Sequence, residues 1–383
     1  MWFLEADIAL RLLGGCLLWA VLSMLARKLW SQASLNRFLV ILDLALIAYV
    51  SEWLAVFYAV YTVVTYGIAH FAGRGGSDTV RRVRFVLCCL LCAVPFFYLR
   101  LLDLFPELPL LFALTGLAYN MLKAVDAVYY VYYTGERLDF LHYANYMLFF
   151  PVLTAGPILR YRDFSRSLVR PERVNGESLT RDCKRLIRGY FKKVVLLVLV
   201  GAVLSRLAAL DPRPWISLAA CLVSYLLLWL DMSGYADIAI AMGGFLGLKV
   251  PENFKSPLKA ASFTQFWRNW HVSLTDWIRE HIFVVLNGKR LNRFQGAFMG
   301  FGTMMVMGLW HGFSLTFVLD GLMNGSLLAI EHLLGITTVK RGANRYYVWF
   351  RRCIVTVVFA FTTIFYTLDQ AQLAAVLRGF VTI

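Results

Sequence analysis

The feature that most constrains this chain is its succession of apolar runs, at residues 38–71, 85–105, 107–134, 141–159, 193–210, 214–249, 297–335 and 346–368. Several exceed the roughly 20 residues that one helix needs to cross the hydrocarbon of a bilayer. Splitting the longest predicts an all-α polytopic membrane protein of about 9–11 transmembrane helices, with short interfacial or re-entrant helices between them. Composition agrees: the chain is 60% hydrophobic and 16% charged, against about 25% charged residues in soluble domains. Residues 1–383 are expected to form a single membrane-embedded domain in contact with lipid. The N-terminus, Met1-Trp2-Phe3-Leu4-Glu5, lacks the cationic region of a cleaved signal peptide, so none is expected.

Charge is unevenly placed. The net charge is +15, and between Arg160 and Lys193 eleven Lys/Arg face four acids. This stretch contains Pro171 and Gly176 and reads as a loop flanked by short helices. Loops so rich in Lys and Arg stay in the cytoplasm. Further basic clusters lie at Arg74–Arg84, Lys289–Arg293 and Lys340–Arg352. They serve topology and attraction to anionic lipid, or one of them docks an acidic protein partner. No soluble basic domain or recognition motif points to nucleic acid. The seven cysteines fall mostly in apolar runs and read as packing residues, not as a disulfide framework. The expected metal complement is none.

Polar residues inside apolar runs are expensive and mark function by default. Asp43 and Glu52 need partners on this ground. Asp231 and Asp237 flank a Ser-Gly-Tyr turn; each either orients a helix end or handles substrate or protons. Gly156-Pro157 breaks a helix before the basic stretch. Residues 258–285, LKAASFTQFWRNWHVSLTDWIREHIFVV, are too polar to cross the bilayer alone and suit an amphipathic helix lying at the interface or dipping inward.

Two Trp-His dipeptides stand out in a chain of six histidines: Trp270-His271 in FWRNWHVSL and Trp310-His311 in MGLWHG. Histidine is the usual general base near neutral pH. Gly308 and Gly312 beside His311 permit close approach of a helix or a substrate. Asp276 would complete an H-x-x-x-x-D pattern with His271, but five residues turn a helix through about 500° and point the two side chains apart. There is no G-x-S-x-G elbow and no H-E-x-x-H metal signature. Without further context the buried histidines also fit a proton relay in a proton-coupled transporter.

The order SGYADIAI, VPENFKSP, FWRNWHVSLTDWIRE and MGLWHG, preceded by AGPILRYRDF and RLIRGYFKKVV, closely resembles the bacterial branch of the membrane-bound O-acyltransferase (MBOAT) family across residues 110–335. The resemblance implies spans around a central tunnel and transfer of an acyl group from a cytoplasmic thioester to a hydroxyl outside. It implies His311 as the catalytic histidine, with His271, a position held by Asn in distant members, in a second catalytic role. Trp267, Arg268, Asn269, Trp270, Trp310, Asp237 and Asn253 are the implied substrate-binding residues. No bound cofactor is implied; the donor would be a phosphopantetheine thioester on an acidic acyl-carrier protein, or acetyl-CoA. The implied acceptor is an envelope polymer or lipid-linked glycan in the bacterial cell membrane, with an extracytoplasmic partner acyltransferase completing delivery. The compact chain is most similar to the D-alanyl transfer (DltB-like) group acting toward teichoic acid. AGPILRYRDF is equally similar to the group that O-acetylates alginate, cellulose or peptidoglycan. Departures are Asn269, where many members carry Arg, and Asp320 and Asn324, where an aromatic and a histidine are common.

Overall fold

The computed structural model describes residues 6–102, 104–105, 107, 116–283, 292–339 and 342–382. Lys289, Arg290, Lys340 and Arg341 of the basic clusters lie outside them. The described residues are helical, with no strand beyond an isolated bridge between Phe254 and Trp270. The first unit holds α1 (Ala6–Leu29), α2 (Gln32–Val50), α3 (Glu52–Ala72), α4 (Asp78–Leu102), α5 (Leu117–Thr134), α6 (Phe140–Leu148), α7 (Tyr161–Val169) and most of α8 (Gly176–Tyr190). A π-helical turn (Phe191–Leu196), α9 (Leu197–Ala208) and α10 (Pro214–Phe245) follow. Then come α11 (Phe263–Trp267), α12 (Val272–Ile278), a second π turn (Arg279–Phe283), α13 (Arg293–His311), α14 (Leu315–Leu334), α15 (Arg345–Thr367) and α16 (Gln370–Gly379). Contacts divide the chain into one unit of residues 1–189 with 235–251 and a second of residues 190–234 with 252–383. Helix α10 contributes to both.

Among the described residues seven helices are long and apolar enough to span a membrane: α1 from Asp7, α2, α3, α4, α10, α14 and α15. Not every apolar run is a straight span. The run 141–159 breaks after Leu148 into a 3-10 turn (Phe150–Val152) and irregular chain. Lipid-facing packing shows in α4, where Val83, Leu87, Leu90, Leu91, Val94 and Phe97 are all exposed. Such a belt has hydrocarbon as its solvent.

Irregular backbone at membrane depth survives only if the protein satisfies it, and the first unit does this with buried polar side chains. Asp43 accepts from the Trp19 indole at 2.7 Å and from the Phe150 amide at 3.2 Å. Lys123 donates to the Met147 carbonyl at 2.7 Å, and Asn120 donates to the Leu153 carbonyl at 3.0 Å. Asp126 accepts from the Tyr161 amide at 2.7 Å and the Tyr146 hydroxyl at 3.2 Å. The partner expected for Asp43 is therefore a broken backbone. Glu52, by contrast, is exposed in the first turn of α3, where an acid suits the helix dipole.

The basic stretch holds an irregular segment, residues 170–175, between α7 and α8. Its charges sit on strongly amphipathic helices, where Lys and Arg bury their stems and solvate their heads. One expectation needs correction: no turn separates Asp231 from Asp237, because α10 runs unbroken through Ser233-Gly234-Tyr235. A single Gly costs a helix only about 1 kcal/mol, which burial of Tyr235 and Ala236 offsets.

In the second unit α13 and α14 form a close hairpin on glycine. A Cβ on Gly308 would lie 2.5 Å from the Phe317 carbonyl oxygen, and one on Gly321 would lie 3.0 Å from that of Met304. The small residues let the two backbones touch.

Candidate active site

The segment carrying the first Trp-His dipeptide is not an interfacial amphipathic helix. It folds into two short helices, α11 and α12, with Trp267, Trp270 and Trp277 all buried. Five residues cannot hold a helix by themselves, so outside groups hold this one. Ser262 caps α11 by accepting from the Gln265 amide at 3.0 Å and donates to the Thr337 carbonyl at 2.6 Å. From α14, the buried Glu331 carboxylate accepts from the Phe263 and Thr264 amides, each at 2.8 Å, and from the Thr264 hydroxyl at 2.9 Å. Arg351 of α15 completes the set at 3.5 Å from that carboxylate. An anion at a helix N-terminus answers both the free amides and the dipole.

His271 follows in a turn held from the other side. The Lys255 amide donates to the Asn269 carbonyl at 2.9 Å, and the Val272 amide to the Asn253 carbonyl at 3.0 Å. The Asn253 side-chain oxygen accepts from the Ser273 hydroxyl at 2.9 Å and the Ser273 amide at 3.2 Å. These bonds force His271 to φ 48°, ψ 46°, the left-handed region. Strain of this kind persists only where the surroundings over-determine it, and it clusters at functional sites. The Trp270 ring stacks on Phe266 at 5.4 Å and meets Tyr225 and Phe359. Asp276, in turn, pairs with Arg279 at 2.8 Å and takes no part with His271.

His311 ends α13, half-buried between aromatic rings. Phe317 lies parallel at 5.9 Å, Tyr366 of α15 meets it edge-on at 5.2 Å, and its neighbour Trp310 does so at 4.8 Å. Behind it, the Tyr366 hydroxyl donates to Asp320, whose other oxygen accepts from Asn324 Nδ2 at 2.9 Å. The two histidines interact: burial first, then the charge of His311, pushes His271 down to about 3. His271 is thus a neutral hydrogen-bonding ring at pH 7. The indole N–H of Trp267 is buried with no acceptor among the described residues.

The second unit therefore gathers His271, His311, Trp267, Arg268, Asn269, Trp270, Trp310 and Asn253. Asp237 belongs to the first unit, where Arg185 at 2.9 Å and Arg188 at 3.2 Å hold its carboxylate. Sequence reasoning did not single out Glu331 or Tyr366. Glu331, a lone acid in SLLAIEHLL, carried the same signal as Asp43; Tyr366 carried none, one tyrosine among nineteen.

The sequence profile of the membrane-bound O-acyltransferase family matches residues 49–368. The chain belongs to that family. As an MBOAT chain with seven apolar helices it is a multi-pass bacterial membrane protein. It is 32% identical to the probable alginate O-acetylase AlgI of Pseudomonas fluorescens over 60% of this chain and 47% of that one. It is 30% identical to the teichoic acid D-alanyltransferase of Streptococcus thermophilus over 56% of each chain. A peptidoglycan O-acetyltransferase of Helicobacter pylori is 30% identical over 52% of this MBOAT chain and 39% of its own length. The aligned part is thus between about two fifths and just over half of these relatives' own length.

Proposed function

We propose that this chain transfers an acyl group from a thioester to a hydroxyl of a cell-envelope polymer, with His311 as general base. The observation that carries the reading is His311 itself: a half-buried imidazole walled by three aromatic rings and backed by a phenol bonded to a buried carboxylate. The acceptor oxygen attacks the thioester carbonyl carbon as His311 takes its proton. The C–O bond forms, the C–S bond breaks, and the proton passes to the departing thiolate. A base within hydrogen-bond reach contributes typically 10²–10⁴-fold. His271, held neutral, positions a substrate oxygen, and the Trp267 N–H supplies a dry donor nearby in the sequence.

The donor carries phosphates, whether it is acetyl-CoA or a phosphopantetheine arm on an acidic carrier protein. A groove of about 820 Å³ on α8, lined by Thr180, Arg181, Lys184, Arg185 and Arg188 among others, supports docking of such an anion on the first unit. For the acyl group we propose acetyl, on the likeness to AlgI. D-alanyl, the expectation from the compact chain, keeps the support of a relative aligned over equal shares of both chains.

The test is ester analysis of envelope polymers from cells carrying wild-type protein or His311→Ala, with mild base releasing acetate or D-alanine. Wild type is expected to add ester-linked acetate and the variant none at equal membrane abundance. Ester retained with His311→Ala refutes the base, and D-alanine in place of acetate refutes the assigned acyl group.

A further inference from the structure

One buried group beside the site has no role in the mechanism above. Asp320 on α14 is only 3% exposed and Asn324, one turn on, 1%. The carboxylate accepts from Asn324 Nδ2 at 2.9 Å and from the Tyr366 hydroxyl, and meets no Lys or Arg among the described residues. An ionised carboxylate placed in a dry interior with only neutral donors is costly. Other buried carboxylates in this protein are settled differently. Lys193 answers Asp231, Arg185 and Arg188 answer Asp237, and Arg351 lies at Glu331. Asp320 faces His311 across the Tyr366 ring.

We infer that Asp320, acting through Tyr366, positions His311 and offsets the positive charge that His311 acquires when it takes the acceptor proton. The inference rests on the general-base reading of His311. The chain of contact is short: carboxylate to phenol oxygen by a direct hydrogen bond, and phenol ring edge-on to the imidazole with centroids 5.2 Å apart. Tyr366 is fixed at one end by the carboxylate and packs on Phe317 at 5.5 Å, which itself lies parallel to His311. The imidazole is thereby clamped on two sides by rings from α14 and α15. Titratable groups that face it include His271 from the turn before α12, Tyr366 from α15 and, through Tyr366, Asp320 from α14. Protonated His271 would repel an imidazolium, and it is held neutral by burial. Asp320, when ionised, supplies the negative end. Asp320 thus reaches the imidazole through the Tyr366 ring, by packing and by charge. Asp320 and Tyr366 are positioning residues; neither takes the acceptor's proton.

Two measurements on the full-length protein in detergent or liposomes test this. The first is the pH dependence of His311 carbethoxylation by diethyl pyrocarbonate, read by mass spectrometry and independent of turnover. The second is transfer, resolved into kcat and KM. Asp320→Asn and Tyr366→Phe are each expected to lower the apparent pKa of His311 by about one unit, the scale of one nearby opposite charge. Each should cut kcat roughly tenfold or more with KM within about twofold, the signature of an interaction made in the transition state. The double variant should be little worse than either single one, because the two side chains act as a unit. Tyr366→Phe removes one hydroxyl and keeps the ring, so it remains readable if Asp320→Asn fails to fold. An unmoved His311 titration in Tyr366→Phe overturns the inference. Transfer retained by His311→Ala overturns the general-base reading instead, and the carbethoxylation result then still reports whether Asp320 senses the imidazole.

Discussion

Glu331→Ala should unseat the FWRNWH segment, and the cost can be worked from the structure. Glu331 accepts three hydrogen bonds from α11, two from backbone amides at 2.8 Å and one from the Thr264 hydroxyl at 2.9 Å. Alanine leaves both amides buried without an acceptor, at roughly 1–3 kcal/mol each. It also strips Arg351 of a carboxylate 3.5 Å away. Re-entry of water returns part of this, so the net loss is on the order of 4 kcal/mol. Thr264→Val removes only the hydroxyl bond and should cost about 1 kcal/mol. Glu331→Gln keeps one acceptor but turns an NH2 toward an amide donor, and should fall between the two. Thermal unfolding of detergent-solubilised protein, followed by loss of the monodisperse size-exclusion peak, gives the ranking Ala, Gln, Val from worst to mildest. Equal midpoints for Glu331→Ala and Thr264→Val would refute the view that this carboxylate holds α11 in place.

Gly308→Ala brings a Cβ to 2.5 Å from the Phe317 carbonyl, so α13 and α14 must part; a loss of about 1–3 kcal/mol in thermal stability is expected, with lower transfer because His311 sits one turn on. Lys193→Met removes the cation from an ion pair only 3% and 5% exposed and should cost about 1–3 kcal/mol; Lys193→Met with Asp231→Leu together should recover most of it on the same thermal assay. His271 titrates near 3 when folded and near 6.5 when unfolded. Between those values the unfolded chain binds more protons, so stability falls as pH drops below about 6.5, by up to about 1.4 kcal/mol per pH unit. His271→Asn should flatten the change in unfolding midpoint between pH 7.5 and 5, and an unchanged slope would count against a buried neutral ring.

The polytopic character and the two Trp-His dipeptides were legible because each rests on composition within a short window. What could not be read was how apolar windows bend. The run 141–159 has the hydropathy of a span, yet its break is stabilised by Asp43, Lys123 and Asn120, residues drawn from other helices. The polar mix around Trp267 suggested an interface, whereas Glu331, more than sixty residues later, pulls it inside. Asp231 and Asp237 marked a turn only because their cations, Lys193 and Arg185, lie on another element. In each case a local pattern was overruled by a pairing of distant residues. The site residues followed the same rule: those within a motif were visible, and Tyr366, 55 residues from His311, was not.

The backbone at His271 has a consequence for anyone who selects this protein for robustness. A non-glycine residue at φ 48° is a small standing debt, of order 1 kcal/mol, that glycine or asparagine at that position would largely cancel. A heat-challenge library will therefore reward replacement of the very ring that the turn was shaped to present. The most durable variants from such a screen should be sequenced at position 271 first, before their stability is read as an improvement of the enzyme.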